Sequence, residues 1–290
     1  MHAHTLNEAC EDEWVESNLS QKKVHLEGIV AGLGRVVVAY SGGVDSSFLA
    51  ATAHSVLGDD SLAVTAVSPS LARRELREAE GLARSHGWNH EIVGTHEVGR
   101  EEYARNDGDR CYWCKSELFD VLSPIARERA AEILVGTNVD DLGDHRPGLR
   151  AADERDVRAP LVEAGLTKDE IRALAREMGL PTADKPASPC LSSRFAYGVR
   201  VTPEGLRRID RAEEFIRSLG FEIFRVRDHG DLARVEVPSE EVEKAASLAT
   251  EISAELKRLG YAHVSLDLSG FRSGSLNAVL APPSFGAPRA

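Results

Sequence analysis

The sequence predicts an α/β fold: a parallel sheet covered by helices on both faces, followed by a smaller α+β unit. Three observations carry that expectation. Short continuous apolar runs suit strands buried on both sides, stretches of helical periodicity separate them, and 290 residues suit two domains at roughly 100 to 200 residues each. With 42% hydrophobic and 28% charged residues the composition is that of an ordinary globular protein. No run of about 18 apolar residues occurs, which excludes a spanning helix.

Residues 1–20 are polar and acidic and read as a flexible arm with none of the apolar stretch of a secretory or organellar leader, so a cytoplasmic location is expected. Gln21 to Leu33 carries apolar residues at helical spacing, Val36 to Ala39 is a buried-strand run, and Ser46 to Leu57 reads as helix. The alternation continues: strand Leu62 to Val67, helix Ala72 to His86, strand His90 to Val93, helix Cys114 to Ala131, strand Ile133 to Gly136. Ligands of such sheets bind beyond the carboxyl ends of the strands, so loops starting at Tyr40, Ser68, Gly94 and Gly136 should converge on one crevice. Leu166 to Met178 returns to helix, with Thr167 as its cap and Glu170 three residues on. The expected first domain is 21–200. In 201–282 the order is helix Pro203 to Leu219, strands Phe221 to Arg227 and Leu232 to Val237, helix Ser239 to Leu259 and strand His263 to Leu268, leaving 283–290 as a tail.

The first strand runs directly into Ser41-Gly42-Gly43-Val44-Asp45-Ser46-Ser47, which opens a helix. Two glycines let backbone amides turn toward an anion, the hydroxyls of Ser41, Ser46 and Ser47 add donors, and the helix end adds partial positive charge. The segment lacks the lysine of a Walker loop and the spacing of a dinucleotide fingerprint. An acid inside a phosphate loop points to a divalent cation between Asp45 and the phosphate oxygens, so magnesium-bound triphosphate is the expected ligand.

Four cysteines are too few for a disulfide framework. Cys111 and Cys114 have a spacing that suits zinc, an iron-sulfur cluster or a dithiol couple, and one pair does not decide among them. Arg110, Lys115 and a helix starting at Cys114 should favour thiolates. Cys190 lies between prolines 186 and 189 on one side and Arg194 on the other, with Lys185 nearby, a rigid cationic setting that suits a nucleophile or metal ligand as well as it suits a small core residue. Cys10 reads as a bystander.

SGGVDSS resembles the PP-loop of the ATP pyrophosphatases. Together with CYWCK, GTNVDD, DHRPG and DKPASPCLSSR it resembles the LarE family of ATP-dependent sacrificial sulfur transferases, over most of the chain from about Gly34. That resemblance implies an adenine nucleotide alpha hydrolase-like domain. It also implies an enzyme that adenylates a carboxylate of pyridinium-3,5-biscarboxylic acid mononucleotide and replaces an oxygen by sulfur, in the making of a nickel-pincer nucleotide cofactor. By the same resemblance Cys190 handles the sulfur. Its presence with Cys111 and Cys114 points to the branch with a four-iron four-sulfur cluster, a sulfide or other sulfur donor, and a homo-oligomeric state.

ATP and magnesium then belong at Ser41, Gly42, Gly43, Asp45, Ser46 and Ser47, with Gly136, Thr137 and Asn138 beside them. Asp141, Asp144 and Arg146 could position metal or substrate, or form a solvated acidic loop. Arg194 could bind the substrate's acid groups or its phosphate. Arg225 and Arg227, at alternating strand positions with His229 nearby, could hold the mononucleotide phosphate or simply be solvated. Trp113 could stack on a planar ring or pack in the core. A PP-loop tRNA thiolase and a non-catalytic nucleotide-binding regulator are the alternatives. Against the first stands the charge, 35 Lys plus Arg against 47 Asp plus Glu or a net of −12, which disfavours a nucleic-acid partner.

Overall fold

The computed structural model describes residues 4–143 and 147–272, with the backbone alone for 4–17. The chain forms two compact units. The first comprises residues up to Val67, Arg74–Thr95 and Cys114–Ser188, and the second comprises Ser68–Arg73, His96–Trp113 and the chain from Pro189 on.

In the first unit, α1 (His4–Leu33) precedes β1 (Val36–Ala39), α2 (Val44–Leu57), β2 (Ser61–Val67), α3 (Arg73–Ser85) and β3 (His90–Gly94). After them come α4 (Arg110–Arg129), β4 (Glu132–Val135) and α5 (Lys168–Glu177). The sheet order is β3-β2-β1-β4 and every pairing is parallel. Val36, Val37 and Val38 of the central strand are at most 1% exposed, which is why this strand reads as an unbroken apolar run and not as an alternation. The core beneath gathers Leu26 and Val30 of α1, Phe48 and Leu49 of α2, and Ile171 and Leu174 of α5. The helix of residues 4–33 takes in most of the stretch expected as a loose arm.

The second unit holds α6 (Pro203–Ser218), β5 (Arg225–Asp228), β6 (Leu232–Glu236), α7 (Ala249–Arg258) and β7 (His263–Leu266). β5 and β6 pair antiparallel, and β6 and β7 pair parallel across the α7 crossover. Phe221, Phe224, Val226, Val235 and Leu256 build its core. The boundary expected at residue 200 falls inside this unit, because Phe195 bridges to Asp228 and the amide of Val201 donates to the Ala104 carbonyl, 2.9 Å away. The expected tail 283–290 lies outside the described residues, as do Asp144 and Arg146.

Candidate functional site

The chain passes from β1 to β2 to β3 on one side of the sheet and places β4 on the other. The order therefore reverses between β1 and β4, where a parallel sheet opens a crevice. The loops leaving those two strands meet there. A Cβ on Gly136 would lie 2.8 Å from the Ser46 amide nitrogen, so only glycine lets the β4 loop approach the start of α2 this closely. Gly42, at φ +74°, makes the turn, and a Cβ there would press on the Cβ of Ala79 in α3 at 3.0 Å.

The loop is braced by its own hydroxyls. Ser46 Oγ accepts from the Ser41 amide at 3.1 Å, donates to the Gly43 carbonyl at 3.1 Å and lies 2.9 Å from Ser41 Oγ. Ser47 is fully buried and its amide donates to the Gly43 carbonyl, so this residue serves the helix start more than the loop mouth. The Gly43 amide has a long 3.4 Å bond to Ser41 Oγ.

Asp45 projects from the first turn of α2. One carboxylate oxygen pairs with Lys168 Nζ and the other accepts from Asn138 Nδ2 at 3.4 Å. Asn138, 2% exposed, is oriented by accepting the Asp140 amide on Oδ1 at 3.0 Å, and its own amide donates to Asp141 Oδ2 at 3.1 Å. Lys168 was not singled out in the sequence. It is the first residue of α5, set there by the Thr167–Glu170 capping box and by its amide donating to Asp140 Oδ2 at 2.7 Å. The capping signal was the clue that could have located it. Asp45 is the carboxylate of this loop that could hold a cation, and in this structure it pairs with Lys168.

In the second unit Cys190, half-buried, leads into a single 3-10 turn over Leu191–Arg194. Its backbone is held on several sides. The Leu191 amide donates to the Ser70 carbonyl at 2.8 Å, the Cys190 carbonyl accepts from the Ser193 amide at 2.9 Å and from Arg194 at 3.3 Å, and Tyr103 Oη meets Ser192 Oγ at 2.6 Å. Arg194, 3% exposed, grips Glu213 with two parallel bonds of 2.9 and 3.0 Å while its third nitrogen serves the carbonyls of Pro189 and Cys190 and the Ser193 hydroxyl. Its donors are spent on the turn.

Arg225 and Arg227 share one face of β5, opposite the core face of Val226. Arg227 bonds Glu236 at 2.9 Å and the Ser193 carbonyl at 3.1 Å, and Arg234 bonds the other oxygen of Glu236 at 2.8 Å. Four guanidinium groups (Arg194, Arg225, Arg227, Arg234) thus face the carboxylates of Glu213 and Glu236, with Asp267 3.6 Å from Arg234. Burial, and next the charge of Arg194, push Arg225 down to about 10, and burial likewise lowers Arg227. Burial also lowers His229. Glu213, Arg234 and Glu236 were missed in the sequence because they come from two separate elements, α6 and β6, with no shared motif.

The Cys111–Cys114 pair is inside α4, not ahead of a helix starting at Cys114, so both residues stand one turn apart on one helix face. Arg110 is buried and donates to Asn106 Oδ1, and Trp113 Nε1 donates to Asp109 at 3.1 Å. Among the described residues no three His, Cys, Asp or Glu side chains gather as a metal site requires. As placed among the described residues, Cys111, Cys114 and Cys190 do not come together as a cluster site. None of the three is in a disulfide.

No protein-family model matches the chain. An uncharacterised protein of Synechocystis sp. is 44% identical over 265 residues, 90% of this chain and 99% of that one. The pyridinium-3,5-bisthiocarboxylic acid mononucleotide synthase of Lactiplantibacillus plantarum is 37% identical over 266 residues, 91% of this chain and 96% of that one. The tRNA-specific 2-thiouridylase of Rickettsia africae is 32% identical over 53% of this chain and 52% of its own length.

Proposed function

The chain belongs to the LarE family of PP-loop sulfur-transferring enzymes, and from that premise we propose that it converts a carboxylate of pyridinium-3,5-biscarboxylic acid mononucleotide into a thiocarboxylate at the expense of ATP. The observation that carries the nucleotide half is the SGGVDSS turn at the point where the strand order reverses. The substrate carboxylate attacks the α-phosphorus and pyrophosphate leaves, giving an acyl adenylate. Backbone amides of the loop with the Ser41 hydroxyl stabilise charge on the phosphate oxygens, and magnesium, which Asp45 would hold, would supply neutralisation of the triphosphate. Lys168, the partner of Asp45, adds a positive charge to the departing pyrophosphate. Thr137 and Asn138 flank the nucleotide, and Asp141 holds the Asn138 backbone.

Cys190 then supplies the sulfur. Its thiolate attacks the acyl carbon and expels AMP, and the thioester breaks at the Cβ–Sγ bond with loss of the Cα proton. The products are the thiocarboxylate and dehydroalanine at position 190. No step is routed through a cluster at Cys111 and Cys114. The mononucleotide phosphate is assigned to Arg225 and Arg227, two guanidinium groups side by side on one face of β5, whose fixed charge and donors suit a phosphate dianion. Arg194 acts by holding the Cys190 turn.

The test mixes the full chain with ATP, magnesium and the dicarboxylated mononucleotide. Pyrophosphate release, an oxygen-to-sulfur mass change in the mononucleotide and loss of hydrogen sulfide mass from Cys190 are the expected results. Pyrophosphate without sulfur transfer overturns the role of Cys190, and its absence with all components present overturns the enzyme.

A further inference from the structure

Lys185 and Glu75 do nothing in the chemistry above, yet both are largely buried, with side chains 16% and 17% exposed. Lys185 Nζ pairs with Glu75, lies 2.9 Å from Glu78 and donates to the Gly42 carbonyl at 3.3 Å. Its cation is therefore committed to α3 and to the phosphate loop instead of standing by the thiol. The second oxygen of Glu75 accepts from Ser188 Oγ at 3.0 Å, two residues before Cys190. Arg172 of α5 holds the carbonyls of Ala183 and Lys185. One face of α3, at positions 75, 78 and 79, thus carries both the strap 185–188 and, through Ala79, the turn at Gly42.

The Gly42 carbonyl and the Gly43 amide are opposite ends of one planar peptide unit. Lys185 on the carbonyl fixes the plane and so aims the amide. An anion accepting from that amide polarises the same unit and strengthens the bond to Lys185. Such coupling is reciprocal: whatever tightens the strap also favours the anion.

We propose that Glu75 is a positioning residue which, through Lys185 and Ser188, transmits occupancy of the phosphate loop to the segment carrying Cys190. The proposal rests on the reading of SGGVDSS as a nucleotide loop. In operation, a bound triphosphate clamps the Gly42–Gly43 peptide, the strap tightens, and Cys190 is held less mobile than in the empty chain.

The experiment alkylates Cys190 in the full chain with iodoacetamide, with and without saturating ATP and magnesium, and follows that cysteine by peptide mass spectrometry. In the unmodified chain the nucleotide slows Cys190 at least about fivefold, the lower end of usual allosteric couplings. In Glu75→Gln, which keeps an acceptor for Ser188 but removes the charge facing Lys185, and in Glu75→Ala, the nucleotide effect falls below about twofold, and Glu75→Asp restores it. A nucleotide effect that survives both substitutions overturns the proposal, since it then reflects shielding by the ligand alone. So does a Cys190 rate in the unmodified chain that ignores ATP. Pyrophosphate release, measured on the same samples with the dicarboxylated mononucleotide, reports separately on the reading of the chain as an enzyme.

Discussion

The phosphate loop and the arginine face of β5 both suit an anion, and they do so in opposite ways. At the loop the ionised side chains are matched, Asp45 with Lys168, and Glu75 and Glu78 with Lys185 and Arg74, so what remains to draw a phosphate is backbone amides and a helix end. On β5 and β6 the backbone is taken up by strand pairing and the charge is carried by buried side chains, and it is chiefly this burial that pushes Arg225 down. A backbone site costs the empty protein little, because its donors are needed by the fold in any case. Buried guanidinium groups carry a desolvation cost that their carboxylate partners must offset.

The sharpest way to break this contrast is Cys190→Ser, which is expected to reduce thiocarboxylate formation to background while pyrophosphate release continues, read by mass spectrometry and a phosphate assay. Next in size is a glycine comparison. Gly136→Ala drives a Cβ into the Ser46 backbone whereas Gly43→Ala meets only Ser41 Oγ at 3.5 Å. ATP affinity by calorimetry should therefore fall by an order of magnitude or more, about 1.4 kcal/mol or above, in the first and by much less in the second. If the two behave alike, close approach of the β4 loop is not what shapes the site.

Arg225→Met tests the cost of the buried cation. It should stabilise the ligand-free chain by roughly 1 kcal/mol, seen as a rise of a few degrees in Tm, while raising the KM for the mononucleotide and leaving ATP binding unchanged. A fall in Tm would mean that Arg225 is structurally needed and not held in reserve.

The smallest effect separates the units by pH. Burial lowers His90 in the first unit and His229 in the second below the ordinary 6.5. The unfolded chain thus takes up protons first as the pH drops, so their contribution is complete above about 6.5 and is lost on acidification below it. Thr65 Oγ1 donates to the Tyr40 carbonyl, so at His90 it accepts from Nε2, which selects the Nε2–H tautomer of the neutral ring. His90→Gln should flatten the fall in urea-denaturation stability between about pH 6.5 and 5 by under about 1 kcal/mol. An unchanged slope would assign the loss to His229 and to carboxylates.

Much of this was legible in the sequence where the information is local. The strand run at Val36–Ala39, the glycine turn and the Thr167–Glu170 cap each depend on neighbours within a few residues, and each is present. Helix ends were less legible. The helix expected over Ser239–Leu259 breaks at Leu248, and the strand expected from Phe221 starts only at Arg225 because Phe221 and Phe224 turn into the core.

The one-dimensional pattern by itself determined the alternation of strands and helices, the anion-binding turn and the three cysteines that could carry chemistry. Only the tertiary structure decided that Asp45 meets Lys168, that Arg194 is spent on Glu213 and the Cys190 turn, and that Lys185 is neutralised by α3. The reason is physical. Backbone propensity and turn geometry act over a few residues, whereas charge pairing acts through space between groups 19 to 123 positions apart, and no spacing rule encodes which of many carboxylates a given cation will find.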